Sequence, residues 1–455
     1  MKFKRTLFLL AVFIVLFAIV YFFEFRNTGE NPEEMLVDIK SEDIEKIIYR
    51  NGEQTIQFQR DGEEWMITDP IEATADKFEV DQVADDFSSL RIERVVEEDP
   101  SDLEKYGIPQ KEMELHAKDQ EIPIKILIGM ENPLDNTFFA KREGETKVVL
   151  ISSSLKSLLE KDVFDFRQKN IYKFETDQAK SIILRAQDVR WEAEKEEDDW
   201  ILKKPIYSLA QKSKINDILY SLSNLKATAF VSENKNEQEI ENYGLDKPDY
   251  EVAIDFPSEN KQVTFFLQEK NDEVHVTSSL SPKIIQVEKV ILTDLKKEVN
   301  DLRDKGVADF FTWEAKKIHL QKGEMSFSLT KDEEENWHFE DPEVQEADAE
   351  KIQSFLRKLE SLECEEFVDP PLNLDDLGLA NPQGEIKVWT GNEKDTLEEI
   401  DIQIGTEDND SKMVYVKNER FPYVFKVDSA FLDEFPQKKE DWKKPEEPEK
   451  KEERD

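Results

Sequence analysis

A tryptophan at position 65 is followed five residues later by a proline, and the pair returns at Trp200/Pro205 and Trp337/Pro342. An acidic or amide residue precedes each copy: Glu64, Asp199 and Asn336. The Trp-to-Trp steps are 135 and 137 residues (200 − 65 and 337 − 200). That period is far longer than the roughly 20–50 residues of solenoid repeats and has the length of a whole domain. A chain of 455 residues, at roughly 100–150 per domain, holds about three of them. The chain therefore reads as one domain written three times.

The flanks of the tryptophan repeat with it. Upstream lie three β-branched-rich segments, 44–50, 179–185 and 315–321, each followed by a polar turn and a second strand pattern. This places the Trp on the third strand of a small antiparallel meander. Downstream the period becomes helical. Apolar residues fall at Val80, Val83, Ala84, Phe87 and Leu90; at Ile215, Ile218, Leu219, Leu222 and Leu225; and at Ile352, Phe355, Leu356, Leu359 and Leu362. Each set starts 15 residues after its Trp and forms the single apolar stripe of a surface helix.

A turn signature follows in each copy: Leu103 to Ile108 (LEKYGI), Ile240 to Leu245 (IENYGL) and Leu374 to Leu379 (LDDLGL). Its glycine suits the left-handed residue that closes a helical turn. Two alternating strands come next, with one apolar face, as expected of a sheet wet on one side. A strand pair and a terminal helix near Ser153–Lys161, Glu288–Leu302 and Ser429–Phe435 end each unit. Phe166-Arg167-Gln168-Lys169 and Leu302-Arg303-Asp304-Lys305 join one unit to the next, and Phe435-Pro436-Gln437-Lys438 stands at the matching place in the third.

The ends differ in kind from the repeats. Lys2, Lys4 and Arg5 precede an uninterrupted apolar run from Leu7 to Phe23. Its length, about 26 Å as a helix, is within the range of a membrane span, and no A-x-A-like cleavage site follows it. The expectation is an uncleaved transmembrane anchor in residues 1–26, basic end cytoplasmic, with the remainder outside the cytoplasm at the cell (inner) membrane. Residues 27–42 read as a linker, the units as 43–172, 173–310 and 311–437, and residues 438–455 as a disordered charged tail. The fold class is α+β: three tandem repeats of a mainly antiparallel β-sheet domain, each with one amphipathic helix packed on it, after an N-terminal transmembrane helix.

Chemistry is sparse. Acidic residues outnumber basic ones 104 to 62, for a net charge of −42, which repels nucleic acid. Cys364 is the sole cysteine, so neither an internal disulfide nor a cysteine metal cluster can form. It sits where the other copies have Ile92 and Ala227, as a core residue would. His116, His275, His319 and His338 occupy four different template positions without metal-ligand spacing. No nucleophile elbow, phosphate loop or dinucleotide fingerprint is present. The acidic runs 194–199, 332–335 and 407–410 lack the calcium-loop frame and read as solvated hairpin turns. The repeated Trp suits either a stacking platform or a core, and its fixed distance to the helix favours the core. No catalytic, cofactor-binding or metal-binding residue is assigned, and no cofactor is expected.

The Trp-x4-Pro strand, the helix, the L-x-x-Y-G-[IL] turn and the [FL]-R-[DQ]-K junction together resemble the bacterial domain-of-unknown-function family 4340. The resemblance covers residues 43–437. It implies single-pass envelope proteins associated with ABC-type exporter subunits and gliding-motility-type auxiliary proteins, and it brings no catalytic residues. Leu377 departs from the turn's Tyr, and Gln268 from the glycine found at Gly129 and Gly405. The expected function is a membrane-anchored, non-enzymatic envelope protein that scaffolds or assists an ABC-type transport system. The alternatives are a surface module binding glycan or protein, and a hydrolase of envelope polymers.

Overall fold

The computed structural model describes residues 34–340, 344–391, 397–408 and 411–445. The apolar run Leu7–Phe23, Pro342 and residues 446–455 lie outside the described residues, and no described helix is long and apolar enough to cross a membrane. The chain divides into two compact units, one ending at Lys169 and the other beginning at Asn170. The first holds one repeat and the second holds two.

Repeat 1 forms a single antiparallel sheet. Its strands are β1 (Ile44–Asn51), β2 (Gln54–Asp61), β3 (Glu64–Asp69), β4 (Ala73–Thr74), β5 (Arg94–Glu97), β6 (Lys111–Ala117), β7 (Ile124–Glu131), β8 (Phe138–Arg142) and β9 (Val148–Ile151). They lie in the order β4-β3-β2-β1-β6-β7-β8-β9-β5. Two meanders thus share the central β1–β6 pair, and the helix Lys77–Ser88 carries the chain from one edge of the sheet to the other.

Repeat 2 has the same order in β10 (Ser181–Ala186), β11 (Arg190–Glu196), β12 (Asp199–Lys204), β13 (Ser208–Leu209), β14 (Ala229–Ser232), β15 (Tyr250–Phe256), β16 (Lys261–Lys270), β17 (Glu273–Ser278) and β18 (Ile284–Val287). Repeat 3 has β19 (Ala315–Lys322), β20 (Met325–Lys331), β21 (Trp337–Phe339), β22 (Glu366–Val368), β23 (Gly384–Thr390), β24 (Glu398–Asp408), β25 (Met413–Asn418) and β26 (Val424–Asp428). There the outermost strand shrinks to the single bridge His338–Glu346.

Trp65, Trp200 and Trp337 lie on the third strand of each meander and are fully buried. The three long helices, Lys77–Ser88, Lys212–Ser223 and Ala349–Glu360, each begin 12 residues after their Trp (77 − 65, 212 − 200, 349 − 337). A 12-residue helix is marginal by itself, so packing must hold it. Val80, Val83, Ala84 and Phe87 join Trp65, Phe58 and Tyr49 from one meander and Met113, Leu115 and Ile126 from the other in one core. Each of the larger aliphatic side chains and Phe contributes roughly 1.5–3 kcal/mol by leaving water. Asp76 and Asp348 cap their helices with side-chain oxygens, which Gln211 does not do. The Trp indole of repeat 1 donates to Asp81 on the helix at 2.8 Å, tying strand to helix by a second kind of contact.

The sheet is wet on one side only over its first meander. Beyond β7 the outer face is covered by the turn signature, where Tyr106 and Ile108 pack with Val148, Leu103 and Phe139. Gly107, Gly244 and Gly378 close those turns with φ of 66°, 75° and 68°, as their spacing predicts. The seat beneath is tight: a Cβ at Gly129 would stand 2.2 Å from the Tyr106 carbonyl oxygen, and one at Gly405 would stand 2.1 Å from that of Leu377. Gln268 is accommodated in repeat 2, where the turn is the α-helix Glu237–Asn242 and the Gln268 amide donates to Asp249 at 2.7 Å. The terminal helices are short and broken, as in Ile291–Leu295 and Val299–Leu302.

The unit boundaries move. Residues 35–39, read as linker, belong to repeat 1: Met35 bridges Arg91, Leu36 and Val37 are fully buried, and the Ile39 amide donates to Ser88 at 3.0 Å. Asn170–Lys226 and Gly306–Glu363 are the equivalent bridges, so the repeats start near 35, 170 and 306. The tail is corrected too. Lys439–Trp442 is a 3-10 helix with Trp442 buried, and residues to Lys444 bond to Glu346 and Asp348. Trp442-Lys443-Lys444, not Phe435-Pro436-Gln437-Lys438, is thus the third junction. Its bonds match those of Phe166 and Leu302: Asp76, Gln211 and Asp348 donate their amides to Phe166, Leu302 and Trp442 at 2.8, 2.7 and 2.8 Å. Apolar content misleads in so charged a segment, because one aromatic and two backbone bonds suffice to fix it.

Gly129→Ala should cost about 2 kcal/mol or more of repeat 1 stability, because the Tyr106 carbonyl is backbone and cannot swing away. Gly52→Ala, at φ 61° in open space, should cost only about 1 kcal/mol. Urea unfolding of the two variants checks the difference, and equal losses would mean the turn does not seat on Gly129.

Candidate functional site

The residues singled out in the sequence are dispersed. His116 meets Glu114 at 2.8 Å, His319 meets Ser328 at 2.9 Å, and His338 meets Asp332 at 2.7 Å, each on its own strand or turn. His275 is buried beside Tyr243, at 4.7 Å between ring centroids, and burial lowers its pKa. Cys364 is buried, which pushes its thiol up to about 12 and makes it a poor nucleophile. The first two acidic runs span the β11–β12 and β20–β21 hairpin turns, as expected. Among the described residues no group of three or more His, Cys, Asp or Glu could hold a metal ion.

What the structure does assemble lies between repeats 2 and 3. Ile201 and Leu209, neighbours across β12 and β13, belong to the same core as Val307, Phe421 and Tyr423 of repeat 3. The connector runs along both repeats in turn: Asp304 donates its amide to Leu209 at 2.9 Å, and Cys364 donates its own to Lys305 at 2.9 Å. Two apolar side chains of repeat 2, Ile201 and Leu209, are therefore built into the core of repeat 3, while the rest of repeat 2 keeps a core of its own.

Arg303 sits at the middle of this joint with a side chain 0% exposed. Its guanidinium lies 3.6 Å from the Phe367 ring centroid and 4.6 Å from that of Tyr423. Nε donates to Ser208 Oγ at 3.1 Å, and the two terminal nitrogens each meet one oxygen of Asp369 at 2.9 Å. Ser208 belongs to repeat 2, whereas Asp369, Phe367 and Tyr423 belong to repeat 3. Burying a guanidinium costs several kcal/mol unless geometry repays it, and here a two-pronged carboxylate and two aromatic faces do so. Asp304, next in the chain, accepts from the Gly306 amide at 2.8 Å, and burial raises its pKa, with Asp309 and Glu363 pushing the same way.

Two openings flank the joint. One, of 520 Å³, is lined by Lys214, Arg303, Lys305, Glu363 and Glu366 among others. The other, of 310 Å³, has Ile201, Tyr207, Leu209 and Phe421 on its surface and Glu196, Glu197 and Asp199 around it. Sequence reasoning marked Arg303 only as a junction letter. The signal that could have found its role was Asp369 with Phe421 and Tyr423, where repeat 2 has Ser232, Ser281 and Lys283; Phe367 has its counterpart in Phe230.

The model of a family described as a domain of unknown function (DUF4340) matches residues 65–248, 200–376 and 337–447. The three matches start on Trp65, Trp200 and Trp337, the residues that set the period. The chain belongs to this family. Each of the first two DUF4340 matches runs past its own repeat into the turn signature of the next, which is why they overlap. No curated protein matches. Among solved structures, a DNA polymerase sliding clamp from Pseudomonas aeruginosa with ligand is 7% identical, covering 86% of this chain and 93% of that one, with a TM-score of 0.16. The DNA polymerase III subunit beta from the same organism is 8% identical, covering 85% and 91%, also with a TM-score of 0.16. At that score the likeness carries no argument.

Arg303→Ala should destabilise the second unit by about 1–3 kcal/mol, because it removes the guanidinium packed on Phe367 and Tyr423 and leaves Ser208 and the one-third exposed Asp369 without their partner. Arg303→Lys should recover little, since an ammonium cannot grip both oxygens and lie flat on Phe367. Urea unfolding of both variants, followed for each compact unit, tests this. An unchanged midpoint in Arg303→Ala would remove the side chain from the forces joining repeats 2 and 3.

Proposed function

We propose that this DUF4340 protein is a non-enzymatic envelope scaffold, anchored by Leu7–Phe23, that assists an ABC-type transport system. The observation that carries the reading is the joint around Arg303. It holds repeats 2 and 3 in one compact unit, and its connector, aromatics and ion pair, with the Arg303 side chain wholly buried, serve shape rather than turnover. The apolar run supplies attachment to a membrane, and the family resemblance supplies the class of partner.

A second reading has one observation in its favour. Phe311 and Trp313 stack at 5.9 Å and 18° while 58% and 63% exposed, an arrangement suited to the face of a sugar ring or a partner's apolar side chain. A glycan array probed with the full chain, and with Trp313→Ala, separates this reading from the first.

Crosslinking in native membranes should recover subunits of an ABC-type transporter with the full-length protein. Recovery of none, from membranes in which the transporter itself stays assembled, would rule the scaffold reading out.

A further inference from the structure

The 310 Å³ groove beside the joint has a composition that selects its occupant. Its floor is apolar: the edges of the buried Ile201 and Leu209 from repeat 2 and Phe421 from repeat 3, and beside them Tyr207, which is 47% exposed. Its rim is the β11–β12 turn, carrying Glu196, Glu197 and Asp199. Two resident cations already use this rim. Lys203 pairs with Glu196 while its ammonium lies 5.0 Å from the Tyr207 ring centroid, and Arg420 reaches from Asp309 at 2.8 Å toward Asp199 at 3.9 Å. Glu197 has no ion pair among the described residues.

Glu197 is also in an uncommon backbone state, at φ 52°, where repeat 1 has Gly62 at φ 63°. A glutamate there is disfavoured relative to glycine by the clash of its Cβ, and the β20–β21 turn of repeat 3 likewise holds Glu335 at φ 63°. The side chains that line the groove are particular to repeat 2. The positions of Ile201, Tyr207 and Leu209 hold Met66, Glu72 and Thr74 in repeat 1 and His338, Val344 and Glu346 in repeat 3.

We propose that this groove docks an extended basic segment of a partner polypeptide, a lysine or arginine lying with its methylene stem on Tyr207, Ile201 and Phe421 and its charged end at Glu197. Long basic side chains bury their stems on apolar surface and keep the charge at the edge, and Lys203 does this on the same tyrosine ring. The net charge of −42 draws basic partners in and repels anionic membrane surface and nucleic acid. This inference is independent of the transport reading, because it requires only the joint.

The test uses the full chain in detergent micelles and a fluorescent hexalysine peptide at about 0.15 M salt, where long-range attraction is screened. Binding should be one to one, and Glu197→Gly and Tyr207→Ser should each weaken it by about tenfold. Glu197→Gly should leave the thermal midpoint unchanged or raised, so that its loss of binding is not a loss of fold. Glu334→Gln, which removes the same charge from the β20–β21 turn of repeat 3, should change affinity by less than about twofold. Equal weakening by Glu334→Gln and Glu197→Gly would overturn the proposal in favour of diffuse attraction to an acidic surface. Displacement of the peptide by an equal concentration of spermidine would overturn it in favour of a small polyamine.

Discussion

A sheet with two open edges cannot stand in water unless both are covered, since each edge exposes a row of unpaired amides and carbonyls. In this protein the connectors cover them. Residues 302–304 close the outer edge of repeat 2 by bonding to Leu209 and Gln211, and residues 305–307 bond to Leu362 and Cys364 in repeat 3. Half-connectors do the same elsewhere: Leu36 and Val37 bond to Leu90, and Trp442 and Lys444 bond to Asp348 and Glu346. The position of every repeat boundary follows from this requirement, as does the burial of side chains that sequence composition assigns to a linker and a tail.

Once a connector is shared by two repeats, its side chains are withdrawn from water from both sides. A residue at its centre must then be apolar or completely paired. Leu302 takes the first solution and Arg303 approaches the second, with Nε and Nη1 hydrogen-bonded and Nη2 held against Asp369 Oδ1 as an ion pair at 2.9 Å. The charge at Arg303 is matched by the composition of repeat 3 around it: a carboxylate at Asp369 and aromatic faces at Phe367 and Tyr423, with Ser208 of repeat 2 taking the Nε–H. The aromatic cluster from Phe421 to Phe425 is therefore a property of the joint and not of the repeat. Ile201 and Leu209 extend the joint into the core of repeat 3, whereas repeat 1 lies in a compact unit of its own.

What the sequence made legible was whatever is local and repeated. The helices begin at one distance from each Trp because a strand–helix contact fixes the intervening length, and the glycines at 107, 244 and 378 are read from the left-handed turn they must make. The membership in DUF4340 rests on the same repeated landmarks. What stayed hidden was non-local. Asp369 and Arg303 are 66 residues apart, and nothing in either neighbourhood marks them as partners. Trp442 lies in a segment so charged that composition reads it as unfolded, yet its burial depends on Phe327 and Phe355, at 5.8 and 5.2 Å between ring centroids. The broken terminal helices and the covered outer face of the second meander escaped for a similar reason: both depend on what the turn signature packs against.

The third repeat differs from the second at its outer face. On repeat 2 that face carries Ile201 and Leu209, which enter the core of the following repeat. On repeat 3 the same two positions are His338 and Glu346, still bridged backbone to backbone, with His338 turned to Asp332 and Glu346 to Lys444. The junction residue changes in step, from Arg303 to Lys443. An apolar pair at these positions packs into the next core, and a polar pair keeps the edge bonds intact while its side chains pair locally. The backbone pattern of the connector is thus constant, and the side chains laid on it decide whether a repeat's edge enters a neighbouring core.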